Sequence, residues 1–287
     1  MRVIEFSEHA KAFTLSFLLS FSLSFLLLKL SYRYKLLDLP FGRKKHFFPV
    51  ALGGGIAVFL SLALCSMIWG NGLELLTIAS LLVLVGFIDD VFDVSPLIKF
   101  FFQILSAAVW VCLKPPTIFG NSLIDSISGV FWVVSVVNAF NFVDGIDGLA
   151  SGIGAITFLG LVLKGVEVAC SFLGASLGFF LLNYPPARIF LGDAGSYLIG
   201  FLAGALSLEL INGFDFGKCL GVFFLVALPI ADLVWAVLRR WARGRPIMVG
   251  DDQHIHHLLK RACGDSKALL LLLLVHALLV GTGVFIL

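Results

Sequence analysis

Long apolar stretches separated by short polar segments follow one another along the whole chain of 287 residues. A helix that crosses a membrane needs about 20 mainly apolar residues, and ten stretches approach that length. No repeat of fixed period and no low-complexity linker interrupts them. We therefore predict a single all-α, polytopic integral membrane domain over residues 1–287. The ten predicted spans are 11–29, 51–69, 73–90, 97–113, 126–142, 148–164, 166–183, 194–211, 216–238 and 268–287.

The composition excludes a soluble globule. Hydrophobic residues make up 60% of the chain and charged residues only 13%, whereas soluble domains usually contain about 45–50% apolar residues. The net charge of +2 gives no support for a nucleic acid partner. The five cysteines are dispersed and form no CxxC pair, so the sequence indicates neither a disulfide framework nor a thiolate metal site.

The basic residues predict how the spans are oriented. Loops on the cytoplasmic side of a membrane carry an excess of Lys and Arg. Because successive spans alternate in direction, the loops can be sorted by side, and fifteen of the 20 Lys and Arg residues fall on one side. We expect that side to be cytoplasmic, with both termini outside the inner (cytoplasmic) membrane. Most of the aspartates lie at or near the same face, although the rule for basic residues does not require it.

Two adjacent carboxylates, Asp89 and Asp90, end the third span. Adjacent carboxylates repel each other unless a cation or a proton lies between them. At a membrane boundary the pair suggests Mg²⁺ held between protein carboxylates and substrate phosphates. Lys99 and Gln103 follow one helical turn apart in the next span. The alternative is a solvated turn before a helix that begins at Pro96.

Four polar side chains recur at intervals of three around the end of the fifth span: Asn138, Asn141, Asp144 and Asp147. While the chain remains helical they share one face. Gly145 and Gly148 then allow the backbone to turn and a ligand to approach closely. Asn and Asp beside Gly are also ordinary turn formers, and that alternative stays open.

The polar segment before the eighth span holds Asn183, Phe190 and the pair Gly192-Asp193. A glycine-rich entry to a helix presents free N–H groups to an anion. Asp193 is itself an anion, however, so a metal that bridges it to phosphate explains the pair better. Asp193 and Ser196 could instead form a helix cap.

Two further loops on this face combine cations with histidines. The connection over 239–267 contains Arg245 and His254-Ile-His256-His257, in which a helix would put His254 and His257 on one face for phosphate binding or metal ligation. Phosphate is the better ligand, because the neighbouring Asp, Arg and Lys suit hard oxygen groups more than zinc. Lys45 and His46 in the first loop would attract phosphate headgroups. Alternatively, the basic residues of both loops could serve only to orient the spans in the membrane. His276, isolated in the last span, is expected to be a satisfied core residue.

These segments, in this order and on one membrane face, resemble the polyprenyl-phosphate N-acetylhexosamine-1-phosphate transferases, the family of MraY and WecA. The histidine segment is similar to that of the WecA and TagO branch, which uses UDP-N-acetylglucosamine. The resemblance implies that membrane undecaprenyl phosphate attacks the β-phosphate of a UDP-sugar and releases UMP, the first step of lipid-linked cell-envelope glycan synthesis. It also implies a Mg²⁺ cofactor that Mn²⁺ can replace, contact with membrane lipids, and a homodimer.

The resemblance assigns roles by motif position. Asp193 corresponds to the Mg²⁺ ligand, with Asp89 and Asp90 as the essential pair beside it. Because a phosphate monoester has a second pKa of about 6, we expect Asp89 and Asp90 to organise Mg²⁺ and the nucleophile rather than to remove a proton. The predicted catalytic residues are Asp89, Asp90, Asp144, His254, His256 and His257. The predicted substrate-binding residues are Lys45, His46, Lys99, Asn141, Asp147, Asn183, Phe190, Gly192 and Arg245; among these, Asn183, Phe190 and Asp147 match positions that contact uridine.

Two other classes of protein could use the same acidic residues. In a UbiA-type intramembrane prenyltransferase, Asp89, Asp90 and Asp93 would form an aspartate-rich motif that binds diphosphate. A transporter would use intramembrane carboxylates to mark a pathway near the midplane. The transferase hypothesis requires that Asp89, Asp144 and Asp193 line one cavity at the inner lipid boundary.

Overall fold

The computed structural model describes residues 2–39, 48–244 and 254–287, and helices dominate it, as the sequence predicts. Two short strands, β1 (Leu37–Asp38) and β2 (Val50–Ala51), pair antiparallel at one end of the bundle. The helices are α1 (Arg2–Tyr34), α2 (Gly54–Trp69), α3 (Leu73–Phe92), α4 (Pro96–Leu113), α5 (Ser122–Val143), α6 (Leu149–Leu163), α7 (Ala169–Asn183), α8 (Gly192–Leu208), α9 (Phe216–Leu225), α10 (Ala227–Ala242), α11 (Ile255–Cys263) and α12 (Asp265–Ile286).

Five of the described helices are long and apolar enough to cross a membrane, namely α1, α3, α4, α5 and α12. The pair α9 and α10 makes a sixth span if the two are counted together. Helices α2, α6 and α7 are apolar but shorter, with 16, 15 and 15 residues. The chain is therefore a multi-pass membrane protein, as predicted, but the count of ten spans is not confirmed.

Helix α8 lies at the centre of the bundle. Every residue from Ala194 to Leu208 is buried, and a helix that is apolar on all sides needs neighbours on all sides. Helices α2, α3, α5 and α6 supply those neighbours. The first turn of α8, which begins at Gly192 and Asp193, meets the acidic residues at the ends of α3 and α5. The core therefore fixes the position of Asp193.

Small residues allow α1 and α7 to pack closely. Gly174 and Gly178 lie four residues apart on α7, and a Cβ atom at either would overlap a backbone carbonyl of α1, at Phe13 or Phe17. Small residues at this spacing are typical of helix pairs within membranes, where close backbone contact replaces a hydrophobic driving force.

The predicted span over 216–238 is wrong as a single straight helix. The chain breaks between α9 and α10, and the two helices differ in direction by 83°. Pro229 lies four residues after Leu225 and has no N–H to donate to the Leu225 carbonyl. A free carbonyl in a membrane needs another donor, and the hydroxyl of Thr157 on α6 supplies it at 3.0 Å.

His276 on α12 completes this contact. Its Nε2 lies 3.0 Å from the Thr157 hydroxyl oxygen. Because the Thr157 hydrogen is already donated to Leu225, the His276 Nε2 must act as the donor. His276 is fully buried, as predicted, although its Nδ1 has no hydrogen-bond partner among the described residues. The break therefore depends on side chains from α6 and α12.

Candidate active site

Four helix ends meet at one end of the bundle and bring the predicted acidic residues together. The site is formed by the last turn of α3, the first turn of α4, the end of α5 and the first turn of α8. Asp193 lies close to both Asp89 and Asp144, which are far from it in the chain, and interacts electrostatically with each of them. The residues gathered here are Asp89, Asp90, Lys99, Asn141, Asp144 and Asp193.

Lys99 forms a bridge between two of the carboxylates. Its Nζ lies 2.8 Å from Asp89 Oδ2 and 3.3 Å from Asp193 Oδ2. The three side chains are 21%, 12% and 23% exposed for Lys99, Asp89 and Asp193, so a ligand can reach them. One ammonium group among four carboxylates leaves the cluster with an excess of negative charge.

Asp90 binds the backbone at the start of α8. Its Oδ1 accepts the N–H of Asp193 at 2.8 Å, and its Oδ2 lies 3.5 Å from the N of Ala194. Gly192 makes this contact possible: its φ is +71°, and a Cβ atom there would overlap the Asp90 carboxylate. Asp90 thus caps α8 from another helix, because a carboxylate satisfies the free N–H groups at a helix start.

The Asp193 carboxylate is held by three side chains. Asn141 donates its Nδ2 hydrogen to Oδ1 at 2.8 Å, and the Tyr197 hydroxyl donates to Oδ2 at 2.8 Å, while Lys99 contacts the same Oδ2. Sequence reasoning missed Tyr197. Its position four residues after Asp193 on one helix was the available signal.

Asp144 follows the last residue of α5 and begins the turn over 144–148 that leads to α6. Burial, and then the neighbouring carboxylates of Asp193, Asp90 and Asp147, raise the pKa of Asp144 well above its ordinary value, against a hydrogen bond from the Gly192 backbone. Repulsion of this kind is relieved by a bound cation or by protonation. Clustered carboxylate oxygens are the ligands that Mg²⁺ prefers, so the donor set has the right chemistry for that ion.

The four polar side chains spaced three residues apart point in different directions, because α5 ends between the second and the third of them. Asn141 faces Asp193, whereas Asn138, one turn earlier, donates its Nδ2 hydrogens to the Gln103 side-chain oxygen at 2.7 Å and to the Val134 carbonyl at 2.8 Å. Asp147 lies beyond the helix, and its Oδ2 accepts the Ala187 N–H at 2.9 Å. The four side chains therefore do not share one helical face.

The Asn183 side chain is buried and forms hydrogen bonds within the protein. Its Oδ1 accepts the Gly148 N–H at 2.9 Å and the Ser151 hydroxyl at 3.2 Å, and its Nδ2 donates to the Ile189 carbonyl at 2.9 Å. These bonds tie the 144–148 turn to the segment before α8. The backbone of Phe190 pairs with that of Ala51, with an N to O distance of 2.9 Å. The uridine contacts assigned to Asn183, Asp147 and Phe190 stay predictions.

The histidine segment is arranged differently from the expected helical face. His254 precedes α11 instead of lying within it, and His254 and His256, not His254 and His257, point to one partner. That partner is the carboxylate of Asp232 on α10, with Oδ2 2.9 Å from His254 Nδ1 and 3.3 Å from His256 Nδ1. Asp232 was not among the predicted site residues. The three residues lie close enough to share a metal ion.

The histidine segment also contacts the turn that carries Asp144. A Cβ atom at Gly145 would overlap the Nε2 of His256 and come within 3.1 Å of His257. Burial lowers the pKa of His256, which keeps this ring neutral near pH 7. The structure thus brings the predicted histidines next to the acidic cluster, with glycine required at the contact.

An apolar groove of about 910 Å³ leads away from the acidic cluster between α4, α5 and α10. Its walls are mostly aliphatic and aromatic, including Phe100, Ile104, Val130 and Phe131. Lys99, Asn141 and Tyr197, which all contact Asp193, also line the groove, as does Arg240. Three predicted substrate-binding residues, Lys45, His46 and Arg245, lie outside the described residues.

Fold and site together define a multi-pass membrane protein with a carboxylate cluster at the end of an apolar groove. A family model described as "Glycosyl transferase family 4" matches residues 73–211, which include Asp89, Asp90, Asp144 and Asp193. The chain belongs to the polyprenyl-phosphate N-acetylhexosamine-1-phosphate transferases, as its relatives show.

Three relatives illustrate the similarity. An undecaprenyl-phosphate alpha-N-acetylglucosaminyl 1-phosphate transferase of Thermotoga maritima is 36% identical over 239 residues, covering 82% of this chain and 77% of the relative. The protein of that name from Escherichia coli O157:H7 is 32% identical, with 93% of this chain and 81% of the relative covered. A decaprenyl-phosphate N-acetylglucosaminephosphotransferase of Mycobacterium tuberculosis is 30% identical, with coverage of 82% and 71%. These findings decide against the prenyltransferase and transporter alternatives.

Proposed function

We propose that this protein transfers N-acetylglucosamine 1-phosphate from UDP-N-acetylglucosamine to a polyprenyl phosphate in the membrane. The observation that carries the proposal is the junction of the apolar groove with the acidic cluster at Lys99. A hydrocarbon chain in the groove would bring its phosphate to the Lys99 ammonium, where a water-soluble nucleotide sugar can also arrive. The names of the relatives, which state a polyprenyl phosphate acceptor and an N-acetylglucosamine phosphate group, support the same assignment.

The reaction is a displacement at phosphorus. An oxygen of the lipid phosphate forms a bond to the β-phosphorus of the UDP-sugar, the bond from that phosphorus to the oxygen bridging the α-phosphate breaks, and UMP leaves with that oxygen. The product is a polyprenyl diphosphate-sugar. Such transfers depend mainly on alignment and charge neutralisation, so the protein needs to hold two phosphate groups in line rather than form a covalent intermediate.

The residues of the cluster divide this work. Lys99 contacts Asp89 and Asp193 and is placed to bind phosphate oxygens at the groove end. Asp193, Asp89 and Asp144 would hold Mg²⁺ or Mn²⁺, which when bound would neutralise charge on the diphosphate. Asp90 holds the first turn of α8, and Asn141 and Tyr197 hold the direction of the Asp193 carboxylate. Asp89 need not act as a base, because the lipid phosphate is already largely dianionic near neutral pH.

We infer that the site faces the cytoplasm. The distribution of Lys and Arg favours that side for the loops that carry the cluster, and the donor nucleotide is a water-soluble compound that has to reach the site. Both chain termini would then lie outside the inner membrane. The homodimer that the resemblance implies stays a prediction.

The test is turnover by purified protein in detergent or nanodiscs with undecaprenyl phosphate, Mg²⁺ and a panel of UDP-sugars, scored for UMP. We expect UMP release that requires the lipid phosphate and the metal and is fastest with UDP-N-acetylglucosamine. A matched variant, Asp193→Asn, should be inactive while it still folds. Release of inorganic diphosphate from a prenyl diphosphate, with no UMP from any nucleotide sugar, would contradict the proposal.

A further inference from the structure

Asp232 is a buried carboxylate outside the acidic cluster. It lies in the second turn of α10, and only 3% of its side chain is exposed. A buried ionised carboxylate is strongly unfavourable unless hydrogen bonds or opposite charges compensate for the lost water. In the described part of the chain, the partners that surround it come from the segment beginning at His254.

Asp232 supplies the cap that α11 lacks. Its Oδ1 accepts the N–H of Ile255 at 2.8 Å, and Ile255 is the first residue of α11. The preceding residue, His254, forms no side-chain cap. A carboxylate at a helix start satisfies a free N–H and interacts favourably with the positive end of the helix dipole. Asp232 therefore orients the start of α11 from α10.

The second oxygen of Asp232 defines which nitrogen of His254 carries hydrogen. Oδ2 lies 2.9 Å from His254 Nδ1, a hydrogen-bond distance. An ionised carboxylate can only accept hydrogen bonds, so Nδ1 must be the donor. In the neutral ring this leaves Nε2 as the acceptor. The His254 ring is also fixed from its side by Phe142, with ring centroids 5.3 Å apart.

His256 connects the His254 ring to the turn over 144–148, which lies beside the acidic cluster. Its ring stacks against that of His254, with centroids 5.2 Å apart and an interplanar angle of 20°. Its Nε2 approaches Gly145 so closely that a Cβ atom there would overlap it. Gly145 is the neighbour of Asp144 in the chain. A continuous set of contacts thus joins Asp232 to the acidic cluster through the two histidines.

We propose that Asp232 is a positioning residue, whose carboxylate sets the hydrogen-bonding state and ring direction of His254 and holds the histidine segment against Gly145. The effect on turnover rests on the proposed function. The state of the His254 ring does not, and it can be measured without any substrate.

The same three side chains are close enough to share a metal ion, because their ligand atoms lie within 4.8 Å of one another. A hydrogen bond explains the 2.9 Å between His254 Nδ1 and Asp232 Oδ2 without one. The two arrangements give opposite results for metal content. A stoichiometric zinc ion in purified protein that disappears in the Asp232→Asn variant would overturn the proposal.

The experiment compares wild-type protein with Asp232→Asn by nitrogen-15 NMR of labelled histidine rings, with His254→Gln to assign the signal. We expect hydrogen on Nδ1 of His254 in the wild type. In Asp232→Asn the amide keeps its oxygen on the Ile255 N–H and presents NH₂ to His254, so hydrogen should move to Nε2. A wild-type His254 with hydrogen on Nε2, or a ring state unchanged by the substitution, would overturn the proposal.

Turnover provides the second readout. Asp232→Asn should lower kcat on the order of 10- to 100-fold, by analogy with the loss of a carboxylate that orients a histidine in a metal site, with a smaller change in KM for the nucleotide sugar. Asp232→Glu, which restores a carboxylate, should recover part of kcat. If the wild type releases UMP and Asp232→Asn has the same kcat, the catalytic part of the proposal is overturned. A wild type without UMP release but with the expected His254 state would instead contradict the proposed function alone.

Asp125 offers a matched control. It is also a buried carboxylate, 3% exposed, and it also accepts a backbone N–H, that of Phe119 at 2.6 Å. It lies in the first turn of α5, at the opposite end of that helix from Asp144. Asp125→Asn should reduce stability to a similar extent but leave the His254 ring state and kcat at their wild-type values. Equal effects of both substitutions on kcat would show that Asp232 acts only through stability.

Discussion

The carboxylate of Asp90, at the end of α3, accepts the backbone N–H of Asp193, at the start of α8, with an Oδ1 to N distance of 2.8 Å. Two helices that are far apart in the chain are thereby joined at the residue we propose as a metal ligand. Asp90 is close to the site, but its carboxylate faces the backbone of α8. Its main role is therefore to fix the position of Asp193 at the start of that helix.

Substitution of Asp90 should therefore reduce stability as well as activity. Hydrogen bonds to charged groups contribute about 1.5–3 kcal/mol, so Asp90→Ala should lower the free energy of unfolding by about that amount. Asp90→Asn keeps an acceptor for the Asp193 N–H and should lose less. Unfolding in mixed detergent micelles measures both variants. Equal stability of Asp90→Ala and wild type would contradict the capping role.

Lys99 should govern use of the lipid phosphate. Its Nζ contacts Asp89 and Asp193 at the end of the groove. We expect Lys99→Met to lower kcat/KM for polyprenyl phosphate by about 100- to 1,000-fold, the usual effect of removing one group that stabilises developing charge. Lys164→Met, which removes a lysine at the end of α6 remote from the Asp144 turn, is the matched control and should be neutral. Steady-state kinetics with varied lipid decide between these outcomes, and a neutral Lys99→Met would contradict the assignment.

Gly145 should be intolerant of even one methyl group. A Cβ atom there would overlap the His256 ring, so Gly145→Ala should push the histidine segment away from Asp144 and lower kcat. Gly281→Ala is the matched control, because nothing lies within 4 Å of a Cβ atom at Gly281. UMP release and melting temperature should be recorded for both. If Gly145→Ala were as active as Gly281→Ala, the contact would have no role in turnover.

Thr157 should be needed for the break between α9 and α10. Its hydroxyl donates to the Leu225 carbonyl that Pro229 leaves free. Thr157→Val keeps the shape but leaves that buried acceptor unpaired, which costs about 1–3 kcal/mol. Thr77→Val is the matched control, since the Thr77 hydroxyl is exposed and donates to the Leu73 carbonyl of its own helix. Detergent unfolding should separate the two variants, and equal stability would contradict this explanation of the break.

The sequence was sufficient for the class of fold and for the acidic cluster, because hydropathy marks apolar helices and because Asp89, Asp144 and Asp193 each stand at the polar end of one. It was insufficient where a partner comes from a distant helix. Nothing near His254 in the chain indicates that Asp232 would accept its hydrogen. The prediction that His254 and His257 share a face assumed that His254 is helical, whereas α11 begins one residue later, at Ile255.

Two other differences have local causes. The bend of 83° within the predicted ninth span follows from Pro229, which could have been read as a helix break. The side chain of Asn183 is occupied by Gly148, Ser151 and Ile189, and only the folded backbone reveals those partners. Family resemblance indicates that such a residue matters, but not whether it contacts a substrate or holds two loops together.

The most direct test of the central claim follows the β-phosphorus of the donor. UDP-N-acetylglucosamine labelled with phosphorus-32 in the β-position is incubated with the purified protein, Mg²⁺ and undecaprenyl phosphate, and the lipid and aqueous phases are separated. We predict that the label enters the lipid as a diphosphate-sugar while unlabelled UMP appears in equal amount, and that Asp193→Asn abolishes both. Label that stays in the aqueous phase while UMP or UDP is released would contradict transfer of the sugar phosphate to the lipid.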